Sequence, residues 1–182
     1  MQVPARRDLI GPGQALVMVA IPRVGHAVGH IEGSRMAPTL ILLLCLASTW
    51  FMLGVIMIVQ IVHYPLFGSV GNDSFPHYHA EHTRRITLVV FPPMAIELVT
   101  SAFLVLGPSP GSGRVLAGLG FASALIIWIV TAFFSVPSHE RLAGGFDARA
   151  LAALLRSNRV RTAAWLVHAA VVLVMTHAAC AG

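Results

Sequence analysis

Four long apolar runs decide what this chain can fold into. Residues 39–62 carry no charge, and residues 86–106, 115–136 and 162–180 carry between them one carboxylate, Glu97. At about 1.5 Å per residue, each run approaches or spans a hydrocarbon core roughly 30 Å thick. In lipid no water satisfies the backbone, so runs of this length close their hydrogen bonds within themselves as helices. The expected fold is therefore all-α: a polytopic membrane protein built as a four-helix transmembrane bundle, with two short interfacial helices in its longer loops.

Composition agrees. Of 182 residues 57% are hydrophobic and only 10% charged, where a soluble domain carries about a quarter. The formal charge of +5 comes from arginine alone. Those arginines do not cluster with stacking aromatics, so no nucleic-acid partner is expected, and the lipid bilayer is the first partner. Cys45 and Cys180 lie in apolar runs with no CxxC spacing and read as buried free thiols.

Residues 1–35 differ from the rest. Their apolar stretch is broken by Gly11-Pro12-Gly13 and falls short of a span. Arg6-Arg7 has the look of a twin-arginine signal, but no clear cleavage site follows. A flexible tail is expected, or an upstream start with Met36 as the first residue; residues 36–182 form the four-span domain.

The loops hold the polar chemistry. Asn72-Asp73-Ser74 offers N-cap residues for a surface helix over 76–85, on which His79 and His82 are neighbours one turn apart. Pro92-Pro93 is expected to kink the second span. Residues 107–113 form a tight turn, and Gly118, Gly120, Ala122 and Ala124 a small-residue packing face. Asp147 is expected to cap a second surface helix through Ser157, with Leu151, Leu154 and Leu155 facing lipid or core. Trp165 reads as an interface anchor, and Arg161 as a headgroup anchor or a clamp on an anionic substrate. Seven arginines (84, 85, 141, 149, 156, 159, 161) fall on the long-loop side. Arg114 alone opposes them, or five if the first 35 residues count. The positive-inside rule puts the histidine-rich loops in the cytoplasm, in a bacterial inner membrane.

This topology gathers His63, His77, His79, His82 and His139 at one membrane face, with Glu97 and His168 deeper. Imidazole with carboxylate suits iron, zinc or copper, and a 2-His-1-carboxylate set leaves positions open for oxygen. The leading expectation is a small membrane oxidoreductase acting on a lipophilic substrate. In it His79, His82 and His139 ligate iron or copper, Glu97 is a ligand or proton acceptor, and Arg161 with Asn158 orients the substrate. His63 and His168 are alternate ligands, and the only pair for a bis-histidine haem. An intramembrane carboxylate costs at least about 2.5–3.5 kcal/mol, which marks Glu97 as functional or firmly paired. Glu97 also lies about 16 Å below Ile86 on an ideal helix, so it meets the surface histidines only if they dip inward. The plainer readings are solvated interfacial histidines and a His168 that hydrogen-bonds between helices. A non-enzymatic reading uses Glu97 and His168 as a proton relay in a small transporter or membrane subunit. A third is an accessory protein in a homo-oligomer or membrane complex.

Four groupings extend the picture: Gln60-x-x-His63-Tyr64-Pro65, Tyr78-His79-x-x-His82, Pro137-x-His139-x-x-Leu142 and Asn158-x-x-Arg161-Thr162-x-x-Trp165. In them the chain resembles a group of bacterial four-span membrane proteins and, in layout, the anthrone-oxygenase-like small membrane proteins. The likeness covers about residues 38–168. It implies oxygen-dependent oxidation of a hydrophobic, phenolic or polyketide-like molecule.

Overall fold

The computed structural model describes the backbone of residues 23–107 and 113–181, and side chains from Met36 onward. The chain separates into two units, Met1–Met36 and Ala37–Gly182, and the second holds the bundle. The tail reading falls largely outside the described residues, as does most of the 107–113 turn.

Every described element is helical. Helix α1 (Arg23–Ile58) runs into a π-helical turn (Val59–His63), a single turn α2 (Tyr64–Leu66) and a 3-10 turn (Phe67–Ser69). Then come α3 (Phe75–Leu106) and α4 (Arg114–Val130). A second π-helical turn (Thr131–Ser135) leads into α5 (Val136–Ala143), and α6 (Ala148–Ala181) closes the chain. Four stretches are long and apolar enough to cross a membrane: Met36–Ser69, Phe75–Leu106, Arg114–Ala143 and Ala148–Ala181. Their outer faces stay apolar, with Leu88, Phe91, Phe103 and Phe133 exposed. Apolar surface on that scale needs lipid rather than water around it. The protein is an all-α, multi-pass membrane bundle.

The two interfacial helices are not separate elements. Residues 76–85 are the first turns of α3, and residues 148–157 the first turns of α6. Nothing at Arg85-Ile86 or Ser157–Arg161 breaks a helix, and ending one would orphan four carbonyls. The 32 residues of α3 make roughly 48 Å, well over the hydrocarbon thickness, so its first turns project beyond the core. Helix α3 also runs through Pro92 and Pro93. Asp147 caps α6, its Oδ1 accepting from the N–H groups of Arg149 (2.7 Å) and Ala150 (3.2 Å). Ser74 makes no side-chain cap to α3. Gly145, at φ +138°, takes the turn before α6 through a conformation that side chains resist.

The π turns set what faces inward. Buried residues follow the helical period along α1 through Leu42, Cys45, Thr49, Met52 and Ile56 to Val59, the first residue of the π turn. The period then slips by one residue. Leu66, next but one in phase, is 53% exposed, whereas Tyr64 and Phe67 are buried. The second turn repeats the slip: Phe134 is 58% exposed and Ser135 only 2%. In each turn an N–H bonds five residues back, Tyr64 to Val59 O and Val136 to Thr131 O. A proline follows at once, Pro65 and Pro137. Its ring crowds the carbonyl four residues earlier, and the widened turn accommodates it. The extra residue rotates all that follows by about 100°, which turns Tyr64 and His139 into the bundle.

Candidate functional site

Two polar clusters occupy the bundle, one near the end where α3 and α6 begin and one deep inside. The first holds four imidazoles and a phenol. His79 Nε2 lies 3.0 Å from His139 Nδ1, and His139 Nε2 lies 3.0 Å from the Tyr64 hydroxyl. His63 Nε2 and His82 Nδ1 form a second pair at 2.7 Å. Ring centroids of His82 and His139 are 5.9 Å apart and stacked, and those of His79 and His82 6.5 Å. Phe67 and Phe75 wall the group edge-on and by stacking. After this pairing two buried nitrogens lack a partner, His79 Nδ1 and His82 Nε2.

Helix α6 supplies the support. Asn158 Nδ2 donates to Gln60 Oε1 at 2.9 Å, tying α6 to the first π turn. Arg161 is buried, its NH1 3.5 Å from Asn158 Oδ1 and its guanidinium carbon 5.2 Å from the Trp165 ring. It is therefore no headgroup anchor, and Trp165 is no interface anchor. Both point into the bundle, because α6 keeps its helical phase from Leu154 through His168.

The deep cluster centres on Glu97, 1% exposed, and His168, 0% exposed. Trp165 Nε1–H donates to both Glu97 oxygens at 3.0 Å, and the Thr49 hydroxyl donates to Oε1 at 3.3 Å. His168 Nε2 stands 3.6 Å from Glu97 Oε1, with Cys45 Sγ 3.8 Å away. His168 Nδ1 meets Gly120 O on α4 at 2.7 Å. This is a helix-to-helix hydrogen bond, and a carbonyl only accepts, so Nδ1 carries the hydrogen. Trp165→Phe keeps the ring but removes the donor shared by both carboxylate oxygens. We expect a loss of about 1–3 kcal/mol in reversible unfolding in mixed micelles; an unchanged midpoint would show that Thr49 and His168 satisfy Glu97 alone.

No family model, curated protein or solved structure matches this chain.

The residues singled out above thus divide. His63, His79, His82 and His139 come together, with Arg161 and Asn158 beside them. Glu97 does not join them: fifteen residues past His82 on α3, it lies about 22 Å further along the axis. His63 and His168 sit in different clusters, so this arrangement forms no bis-histidine pair. Among the described residues no three His, Cys, Asp or Glu side chains converge as a metal site; the four imidazoles spend half of their nitrogens on each other. His77 is exposed, and Glu81 pairs with Arg84 and Arg85. Cys45 is buried but Cys180 exposed. Of the small-residue face, Gly120 and Ala124 are buried with Ala117, whereas Ala122 is exposed.

A cavity of about 540 Å³ adjoins the first cluster. Val55, Ile56, Val59, Ile86, Val90 and Val136 make its apolar walls, and Tyr64, His79, His139 and Arg161 give it polar groups. Thr87, Val136, Glu140 and Ala143, also in its lining, are exposed on the outside of the bundle. The break in helical period after Val59 is the signal that turns Tyr64 inward.

Proposed function

We propose that the protein is a small membrane oxidoreductase whose lipophilic substrate enters this cavity sideways from the bilayer. The supporting observation is the meeting of His79, His139 and Tyr64 in the lining of a largely apolar cavity. Its volume falls in the range of about 300–1,000 Å³ that suits drug-sized ligands. A hydrogen-bonded string of two imidazoles and a phenol takes a proton at one end and rearranges toward the other. The resemblance to anthrone-oxygenase-like proteins supplies the rest: a phenolic substrate, and dioxygen as the oxidant that takes the electrons. This chain binds the apolar body, orients the head through Arg161 and Asn158, and accepts the proton. An iron or copper ion, where the reaction uses one, would take His82 Nε2 and His79 Nδ1, the latter freed of its hydrogen, which moves to the Nε2 side facing His139. His139 and His63 would then hold the two rings from behind, as outer partners of ligating histidines do. The arginine-rich end, with Arg161 discounted as buried, supports a cytoplasmic position for this cluster.

The test is oxygen uptake by the full-length protein in nanodiscs on addition of a lipophilic phenol, with metal content measured on the same sample. We expect substrate-dependent uptake above that of empty discs. A second reading draws on the enclosed Glu97–His168 couple: proton-coupled transport, with flux that follows a pH gradient and stops in Glu97→Gln. Absence of oxygen uptake together with such flux would replace the first reading by the second.

A further inference from the structure

Arg161 is a cation held inside the protein without an anion. It is 6% exposed, forms no ion pair among the described residues, and its buried Nε has no hydrogen-bond partner. Glu97, at the Nε1 edge of the Trp165 ring, is occupied by Trp165, Thr49 and His168. Glu140 lines the same cavity but is exposed at its rim. A guanidinium removed from water without a counter-charge is unfavourable, and a bound anion relieves it.

The neighbouring string has a matching deficit. With both imidazoles neutral, Tyr64, His139 and His79 carry three polar hydrogens for two internal bonds. The guanidinium, a donor only, faces the Tyr64 hydroxyl. Tyr64 therefore directs its hydrogen at His139, and the spare one falls on His79 Nδ1, which has no acceptor. Both Arg161 and His79 line the cavity, and each carries a buried N–H, Arg161 Nε and His79 Nδ1, without an acceptor.

We propose that the cavity takes an anionic amphiphile: one apolar body ending in a single carboxylate or phenolate, its head on Arg161. The assignment rests on the lipophilic-substrate reading and adds the sign of the head. The guanidinium fork offers two parallel donors to such a head. The apolar body lies along the valine and isoleucine walls.

Three probes with the same tail, dodecanoate, dodecanol and dodecylammonium, are titrated into the full-length protein in phosphatidylcholine nanodiscs, with empty discs as reference. Binding is read by calorimetry and by tryptophan emission, since Trp165 stacks on Arg161. Dodecanoate should bind roughly ten- to hundredfold more tightly than dodecanol, as a charge-assisted hydrogen bond allows, and dodecylammonium most weakly. Arg161→Gln should erase the advantage while leaving dodecanol binding intact, and Arg161→Lys should keep part of it. Equal binding of dodecanoate and dodecanol overturns the anionic head but leaves the lipophilic cavity standing. Binding of none of the three overturns both. If phosphatidylglycerol in the discs displaces dodecanoate, the occupant is a two-tailed membrane lipid and the single-tail assignment falls. The native-protein series decides the matter even if Arg161→Gln does not fold.

Discussion

His79→Ala should lower substrate-dependent oxygen uptake by roughly 10²–10⁴-fold, the usual share of a positioned acid–base group, while neutral lipophiles still bind. His79 contributes one imidazole to the cavity lining and none of the apolar wall, so removing it takes away proton transfer more than affinity. His139→Ala should be comparably harmful, because His139 joins His79 to Tyr64 at 3.0 Å on either side. The double variant should be little worse than either single one, since groups that act as one unit are not additive. His77→Ala, at an exposed position on the same helix, should leave uptake unchanged. His82 discriminates between two versions of the chemistry. It pairs with His63 and is not part of the cavity lining, so a proton string alone predicts a mild effect of His82→Ala. A shared metal ion requires instead that His82→Ala and His79→Ala both strip iron or copper and fall together. Full uptake in His79→Ala would remove the string from the mechanism altogether.

Much of this architecture was legible in the residues because lipid leaves a chain few choices. Residues 39–62 with no charge, and Glu97 alone in the second span, already required helices and a satisfied carboxylate. The gathering of His79, His82 and His139 followed from topology, since two loops on one side bring their side chains to one end. What the residues concealed was rotation. An ideal helix drawn through Gln60, His63 and Tyr64 leaves the tyrosine at the interface, and only the π turn at Val59–His63 swings it inward. Helix length was concealed too. Reading 76–85 as a surface helix treated the membrane boundary as a break in the chain, although a helix carries on through a change of solvent. Trp165 hides its place as well: an aromatic near a span's end is commonly interfacial, but its phase on α6 faces Glu97. Tryptophan and arginine four residues apart on one face, opposite an intramembrane carboxylate, form a pattern better read as one buried group than as two anchors.

Glu97→Leu and Glu97→Gln should differ sharply in stability, and the contrast reports the protonation of the deep cluster. Leucine leaves the Trp165 N–H, the Thr49 hydroxyl and His168 Nε2 buried without their partner. At about 1–3 kcal/mol for each orphaned group, the variant should lose at least about 3 kcal/mol or fail to assemble. Glutamine behaves otherwise if the cluster is neutral. His168 Nδ1 keeps its hydrogen on Gly120 O, so neutral Nε2 is an acceptor and can receive the amide NH₂. The amide oxygen then accepts from Trp165, and the Thr49 hydroxyl turns to accept from the amide. Every group remains paired, and unfolding in mixed micelles should shift by less than about 1 kcal/mol. If instead Glu97 and His168 stand as carboxylate and imidazolium, the amide faces a second N–H donor. A charge is then left unpaired in the core, and Glu97→Gln should cost about 3–5 kcal/mol, like any buried pair broken at one end. A glutamine variant as unstable as the leucine one would therefore establish an ion pair and strengthen the proton-relay reading. A stable one assigns Glu97 the part of a neutral clasp, holding α1, α3 and α6 together through Thr49 and Trp165.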